Sequence, residues 1–189
     1  MNPKSIAYVF VLLFLLGACS PVKYDGPYKG RIIDAATGQP VEGVVVLGVW
    51  YTSIPGAGGT LHGFYDAMET VTDKNGDFEI KGLGLKIMSS VDPMDVLIFK
   101  AGYEYVGMYQ WASFKIDQSL AEKVKWEESR VIVPLKRLTV EERKKSSTFP
   151  SMPYLKAPLE KVKLMLKEVN KEATERGLHP IDIWQGEKI

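Results

Sequence analysis

The sequence predicts a mainly β protein, an antiparallel β-sandwich with a C-terminal α-helical extension. Between residues 28 and 135, short runs of β-branched and aromatic residues alternate with turn residues at near-regular spacing, which is typical of antiparallel sandwiches. From about residue 139 onward, apolar residues recur three and four positions apart, which is the spacing of one helix face. The apolar and aromatic content is that of a folded protein.

Four segments follow from these patterns. Residues 1–18 have the pattern of a signal peptide, 19–27 form a tether with two prolines and a glycine, 28–138 form the sandwich, and 139–189 form the helical extension. About 170 residues remain after the signal peptide, which fits one domain of roughly 100–200 residues with an appendage.

The first half of the sandwich begins with a predicted strand over Tyr28–Asp34 and a turn over residues 35–40. The next strand, Val41–Tyr51, is apolar on both faces at its middle, so we expect it to be central. Residues 53–63 hold four glycines and are predicted to form a loop. A hairpin is predicted over residues 69–80, because its Asn-Gly pair tolerates the positive φ of a tight turn.

The period of two places Phe78 and Ile80 of that hairpin inward, and Asp77 and Glu79 outward. A further apolar strand covers residues 96–100, and residues 105–109 are expected to pair with it. The last predicted strand is residues 130–135. Its Pro134 lacks an amide donor, which predicts an edge or strand-end position. 

The helical extension begins at a capping box, Thr139 to Glu142, in which the glutamate reaches back to the threonine amide. Residues 149–153 break this short helix. A longer helix is predicted from about Pro158 to Arg176, with Gly177 just past its end.

The longer helix is amphipathic, and we expect it to pack on the sandwich instead of reaching out to a partner, because such a helix is marginal alone. Its apolar stripe consists of Leu155, Leu159, Val162, Leu166, Val169 and Ala173. The charged residues expected on its solvent side are Lys161, Lys163, Lys167, Glu168, Lys171, Glu172 and Glu175.

The N-terminus carries one lysine, Lys4, then an apolar run over residues 6–16, then Leu16-Gly17-Ala18-Cys19. The run is about half of the ~20 apolar residues that a membrane span needs. A basic start, a short apolar region and small residues before a cut are typical of a secretory signal. With cysteine directly after the small residues, the segment resembles the lipobox of bacterial lipoproteins.

This resemblance implies that the signal is removed before Cys19, that its sulfur carries a diacylglycerol, and that the new amine is acylated, for instance with palmitate. In that family a serine at the next position, here Ser20, permits export to the outer membrane. The implied location is the bacterial cell envelope, lipid-anchored and facing the periplasm. Two alternatives stay open: an uncut N-terminal anchor, or a plain secretory signal with Cys19 incidental. The chain's single cysteine argues against the latter, because oxidising compartments favour paired cysteines.

A second resemblance covers residues 30–103, which look like the carboxypeptidase regulatory-like domain. It rests on residues 30–34, 37–44, Thr72-Asp73, and on Gly76, Phe78-Glu79-Ile80 and Gly102-Tyr103. That family is a small prealbumin-like β-sandwich that serves as an accessory module and is not itself catalytic.

Charge and motifs narrow the function classes. The chain has 24 Lys and Arg and 23 Asp and Glu; removing residues 1–18 takes away Lys4 and leaves 23 of each sign. Nothing in this charge balance suggests the basic patch or stripe that nucleic-acid binding needs. Residues 73–77 resemble the start of a calcium loop, but Phe78 replaces its glycine and Gly84 its final glutamate. We therefore expect no metal and no cofactor, and a domain that folds without either.

The segment around residues 50–65 is the candidate binding region. Trp50, Tyr51, His62, Phe64 and Tyr65 lie beside a glycine-rich stretch, and aromatic platforms next to loops suit stacking on sugars or peptides. The alternative is that Trp50 and Phe64 belong to the core and that the glycines make a long hairpin.

The sequence thus predicts a lipid-anchored, non-catalytic cell-envelope accessory or interaction module. Its expected partners are the membrane, through the anchor, and an envelope protein or saccharide. The alternative is an envelope binding protein for a small saccharide or peptide ligand, which would use residues 50–65. No catalytic motif was found, since there is no Gly-x-Ser-x-Gly elbow and the two histidines are far apart in sequence.

Overall fold

The computed structural model describes residues 22–87, 90–108, 111, 124–145 and 157–181. The predicted signal peptide, Cys19 and the break at residues 149–153 lie outside these residues. The predicted fold class is confirmed: the chain is mainly β, its sheets are largely antiparallel, and an α-helix follows at the C-terminal end.

The described secondary structure consists of ten strands and two helices. The strands are β1 Val22–Asp25, β2 Tyr28–Asp34, β3 Val45–Gly56, β4 Gly59–Val71, β5 Asp77–Ile80, β6 Gly84–Ile87, β7 Asp95–Phe99, β8 Val106–Met108, β9 Lys125–Glu127 and β10 Arg130–Leu135. The helices are α1 Val140–Lys145 and α2 Lys163–Glu175, and a 3-10 turn at Leu159–Lys161 precedes α2. Among the described residues, no helix is long and apolar enough to cross a membrane.

The strands form two four-stranded sheets and a two-stranded ribbon. Sheet I has the order β4-β3-β7-β8 and is antiparallel; sheet II has the order β5-β2-β10-β9, with β2 and β10 parallel. The β1–β6 ribbon is antiparallel. Apolar residues of both sheets share one core, among them Ile32, Val46, Trp50, Phe78, Ile98 and Val133. The strands predicted at residues 28–34, 96–100, 105–109 and 130–135 are confirmed as β2, β7, β8 and β10.

The strand predicted over Val41–Tyr51 is central, as expected, because β3 lies between β4 and β7, but it begins at Val45 and continues to Gly56. The predicted loop over residues 53–63 is wrong. The β3–β4 ladder continues from Val45–Val71 to Gly56–Gly59, so this stretch is the distal part of a long hairpin. Glycine does not prevent extended backbone, and every residue from 51 to 56 has a ladder partner on β4. The register shifts opposite Trp50 and Tyr51, where β4 carries one extra residue, Tyr65.

The predicted hairpin over residues 69–80 is also corrected. The turn exists: the Gly76 amide donates to the Asp73 carbonyl at 2.9 Å, and Gly76 has a φ of 74°. The strands on its two sides, however, belong to different sheets. Strand β5 pairs with β2, and Arg31 binds the Asp77 carboxylate at 2.8 Å. Phe78 and Ile80 are buried as predicted, and Glu79 is exposed.

The apolar stripe of α2 packs on the outer face of sheet I, which confirms the predicted docking. Val162, Met165, Leu166 and Val169 join a second buried cluster with residues of β3 and β7. Leu155 lies outside the described residues. The helix ends in a Schellman motif: Leu178 donates to the Ala173 carbonyl at 2.8 Å and Gly177 to Thr174 at 3.0 Å.

One residue of the predicted solvent side of α2 is buried, which is a correction. The Glu172 side chain is only 1% exposed and binds Arg143 of α1 at 2.5 Å. Its carboxylate also accepts the Gly102 amide at 3.0 Å. The Arg143–Glu172 pair therefore joins α1 and α2 to the segment after β7. Helix α1 begins at the predicted capping box, where the Thr139 amide donates to the Glu142 carboxylate and the Glu142 amide donates to the Thr139 hydroxyl.

The predicted tether is partly a strand, which is another correction. Val22–Asp25 pairs with β6, and Asp25 is buried at the joint between ribbon and sandwich. The Asp25 carboxylate accepts the Trp50 indole N–H at 3.1 Å and the Leu83 amide at 3.1 Å, and it pairs with Lys86 at 2.9 Å. Burial, together with the neighbouring Asp25 charge, raises the pKa of the Tyr28 phenol.

Candidate functional site

The five residues of the candidate binding region fall into three environments. Trp50 is fully buried in the core between the sheets, with its N–H on Asp25. Tyr51 and Phe64 are partly buried against the cluster beneath α2. His62 and Tyr65 are exposed. The structure therefore separates Trp50 from the other four residues of the candidate binding region. Two of these four, His62 and Tyr65, are exposed, and the other two are partly buried.

The cross-strand register brings three of these residues to one face of the hairpin. Tyr51 pairs with Phe64 and Ser53 pairs with His62, and alternation along β3 places both pairs on the side that α2 covers further along. The 3-10 turn before α2 binds β4 through Lys161 Nζ and Asp66 Oδ1, which are 3.0 Å apart. Further along the hairpin the face becomes exposed, and the His62 side chain is 61% exposed.

A hydrogen-bonded group of polar side chains occupies this face. The Ser53 hydroxyl donates to Asp92 Oδ2 at 2.5 Å and lies 3.0 Å from His62 Nδ1. Since the hydroxyl has one proton and gives it to Asp92, Nδ1 of His62 is the donor in the second bond. The backbone fixes this group, because the Asp92 amide donates to the Tyr51 carbonyl at 2.8 Å.

The order of these groups differs from that of a hydrolase triad. There the imidazole lies between the serine and the carboxylate, so that it can accept the serine proton. Here Ser53 lies between His62 and Asp92, and its proton points at the carboxylate. This arrangement orients the His62 ring, whose side chain is 61% exposed, so it suits ligand hydrogen bonding and does not activate the serine.

A second carboxylate, Asp95, borders the group. Burial, with repulsion from Asp92 as a smaller cause, raises the pKa of Asp95 to about 7. Burial and the Asp95 charge also raise the pKa of Tyr51. A protonated Asp95 is a hydrogen-bond donor and an ionised one an acceptor, so this edge changes its hydrogen-bonding character near neutral pH.

Sequence reasoning missed Ser53, Asp92 and Asp95. Ser53 and Asp92 are 39 residues apart, and only the pairing of residues 90–92 along the hairpin brings them together. No local pattern marks such a meeting. Ser53 could be placed opposite His62 only by knowing the β3–β4 register.

A second concavity, of about 660 Å³, lies between the end of β7 and the two helices. Lys100, Arg137 and Lys171 line it, while Arg143 at its wall is paired with Glu172 and Glu175. Burial lowers the pKa of Lys100, whose ammonium donates to the Glu42 carbonyl. The cleft is basic on balance, and no local sequence pattern predicts it, because its residues come from three separate segments.

The acidic turn at residues 73–77 is occupied by its own backbone and side chains. Asp73 Oδ1 accepts the Asn75 amide at 2.8 Å and the Asp77 amide at 2.9 Å, and Asp77 pairs with Arg31. Within the described ranges, no group of three or more His, Cys, Asp or Glu residues has the arrangement of a metal site.

Comparison with known proteins adds no relative. No family model, no curated protein and no solved structure matches this chain.

Proposed function

We propose that this protein is a lipid-anchored, non-catalytic accessory or interaction module of the bacterial cell envelope. The observation that carries the proposal is the run Leu16-Gly17-Ala18-Cys19 after a short apolar segment, with Cys19 the chain's single cysteine. Acylation of Cys19 would anchor the domain durably, because each buried CH₂ contributes about 0.8 kcal/mol and two chains already suffice. The proposed location is the outer membrane, facing the periplasm.

Two features of the described residues support this reading. Strand β1 begins three positions after Cys19, so the sandwich would be held close to its anchor. The polar group at Ser53 has the wrong order for nucleophilic catalysis, and its exposed imidazole edge suits contact with another molecule.

The anchor is tested by mass spectrometry of the full chain purified from membranes. We expect loss of residues 1–18 and an acyl mass on Cys19. The Cys19→Ala variant should lose the acyl mass and leave the membrane fraction or remain uncut. A Cys19→Ala chain that is still cut at the same place and still bound to membranes would refute the proposal.

A second candidate function is binding of a small saccharide or peptide by the distal hairpin. It is favoured by the sheet face that carries Tyr51, Phe64 and the His62 group, with His62 and Tyr65 exposed there. A titration of the full chain in detergent micelles with peptidoglycan fragments tests it. Binding should be lost in His62→Ala and Tyr65→Ala and kept in Leu61→Ala, whose side chain lies on the other face of the hairpin. Equal loss in all three variants, or no binding, would exclude this function.

A further inference from the structure

The outward face of the β1–β6 ribbon is apolar and exposed. The register pairs Val22 with Ile87 and Tyr24 with Leu85, so these four side chains share one face. Their exposed fractions are 42% for Val22, 71% for Tyr24, and 62% for both Leu85 and Ile87. A contiguous exposed apolar patch marks an interaction surface for a protein or a membrane.

The opposite face of the ribbon is tied to the sandwich. Asp25 and Lys86 lie on that face and pair at 2.9 Å, with side-chain exposures of 3% and 13%. Asp25 also accepts the indole N–H of the fully buried Trp50. Turning the apolar face inward would expose this ion pair and leave the indole N–H without its acceptor, so the outward orientation is fixed by the polar side.

The apolar face lies very close to Cys19 along the chain. Val22 is three positions after Cys19, and three residue steps of extended chain span at most about 10 Å. A thioether lipid on Cys19 has its acyl chains in the bilayer, so its sulfur sits near the headgroups. If Cys19 is lipidated, Val22 at the edge of the apolar face must therefore lie within about 10 Å of the headgroups.

We propose that the Val22, Tyr24, Leu85 and Ile87 face lies on the bilayer surface beside the lipid anchor and sets the orientation of the sandwich on the membrane. This rests on the proposed lipidation of Cys19. Tyrosine is favoured at the water–lipid boundary, where its ring is apolar and its hydroxyl wet. The contact is shallow, because the outer edges of a two-stranded ribbon carry backbone groups that need water.

We therefore expect this apolar face to contact lipid. The accessibility of spin labels on the full chain, reconstituted in vesicles of bacterial phospholipid, tests this contact. Single cysteines are introduced as Leu85→Cys and Ile87→Cys, with Lys74→Cys as the matched control. Lys74 is exposed in the turn at the far end of β5, away from the ribbon. We expect the ratio of oxygen to nickel-chelate accessibility to be several-fold higher at positions 85 and 87 than at 74.

The outcomes separate this inference from the proposed anchor. The parent chain, with no introduced cysteine, takes no label if Cys19 is a thioether; labelling of the parent would refute the anchor alone. High accessibility to both reagents at positions 85 and 87 would show water and overturn the membrane contact. Low accessibility to both, with spin–spin broadening, would show a second copy on this face and overturn it equally.

Discussion

The N-terminal ribbon and the C-terminal helix α2 are both amphipathic additions to one sandwich, yet they turn opposite faces toward it. Helix α2 buries its apolar stripe against β3 and β7 and leaves most of its charges in water. The β1–β6 ribbon buries a charged pair and leaves its apolar residues in water. A buried ion pair is part of both attachments: Arg143–Glu172 joins α2 to α1, and Asp25, which pairs with Lys86 inside the ribbon, accepts the Trp50 indole N–H of the sandwich.

The difference shows that an amphipathic pattern predicts an interface without naming its partner. Apolar burial is favourable wherever it occurs, at roughly 25 cal/mol per Å², so the helix gains by packing on its own sheet. The ribbon faces a buried indole N–H and the Leu83 amide, and only its polar side can satisfy them. Unsatisfied buried donors cost about 1–3 kcal/mol each, which is enough to decide the orientation of a short ribbon.

The largest expected effects come from breaking the two ion pairs. Glu172→Ala and Asp25→Ala should each lower the free energy of unfolding by up to about 3–5 kcal/mol. The first leaves Arg143 with only the partly exposed Glu175, and the second leaves Lys86 and the buried Trp50 indole N–H without their shared acceptor. Urea unfolding of the full chain in detergent micelles, followed by tryptophan fluorescence, measures both. Glu175→Ala is the matched control, since Glu175 binds the same Arg143 from a 39% exposed position and should cost under about 1 kcal/mol. An Asp25→Ala variant as stable as the wild type would mean that the ribbon is not anchored as described.

The second largest effect compares a buried with an exposed apolar residue of α2. Leu166→Ala should cost about 2–5 kcal/mol, because Leu166 is 4% exposed beneath α2 and its loss opens a cavity against sheet I. Leu164→Ala on the same helix removes a side chain that is 40% exposed and should cost much less. The same urea experiment measures both, and equal costs would contradict the packing of the stripe.

The sequence was informative where the relevant interactions are local. The three- and four-residue spacing found the stripe with Leu166, the capping box found the start of α1, and the Asn75-Gly76 pair found its turn. These features depend on neighbours within a few residues. The same is true of the alternation that placed Phe78 and Ile80 in the core.

The sequence was uninformative where distant segments meet. Glu172 was expected in water because nothing near it in the chain reveals Arg143, 29 residues away, or the Gly102 amide, 70 residues away. The Asn-Gly turn could not show that β5 would pair with β2, since that choice depends on Arg31 and the parallel β2–β10 pair. The Ser53, His62 and Asp92 group was missed for the same reason.

A smaller effect tests how the sheet holds the start of the helix. Both carboxylate oxygens of Glu69 on β4 accept backbone amides of α2, from Leu164 at 2.9 Å and Met165 at 2.7 Å. Glu69→Ala should cost about 0.5–2 kcal/mol, the usual range for loss of a helix N-cap. The measurement is urea unfolding at pH 7, with Thr139→Ala in the exposed capping box of α1 as the control.

The same carboxylate gives a pH dependence of known sign. Burial raises the pKa of Glu69, against the opposing effect of the two amides. Its stabilising contribution is therefore complete below the unfolded pKa, about 4.3, and is lost as pH rises through the folded pKa. Since Glu69→Gln does not titrate, its stability relative to the wild type should increase from about pH 4 to pH 7. A trend of opposite sign for Glu69→Gln would contradict the burial.

The smallest expected effect is the one that most sharpens the comparison of ribbon and helix. Leu85→Ser and Ile87→Ser should change the free energy of unfolding by no more than about 0.5 kcal/mol, the usual range for exposed positions. Both side chains are 62% exposed, and the polar side that holds the ribbon is untouched. Urea unfolding of the full chain in micelles measures the change beside Leu166→Ala. A loss above about 1.5 kcal/mol would mean that the ribbon face is buried against protein, and its apolar residues would then have the same role as the stripe of α2.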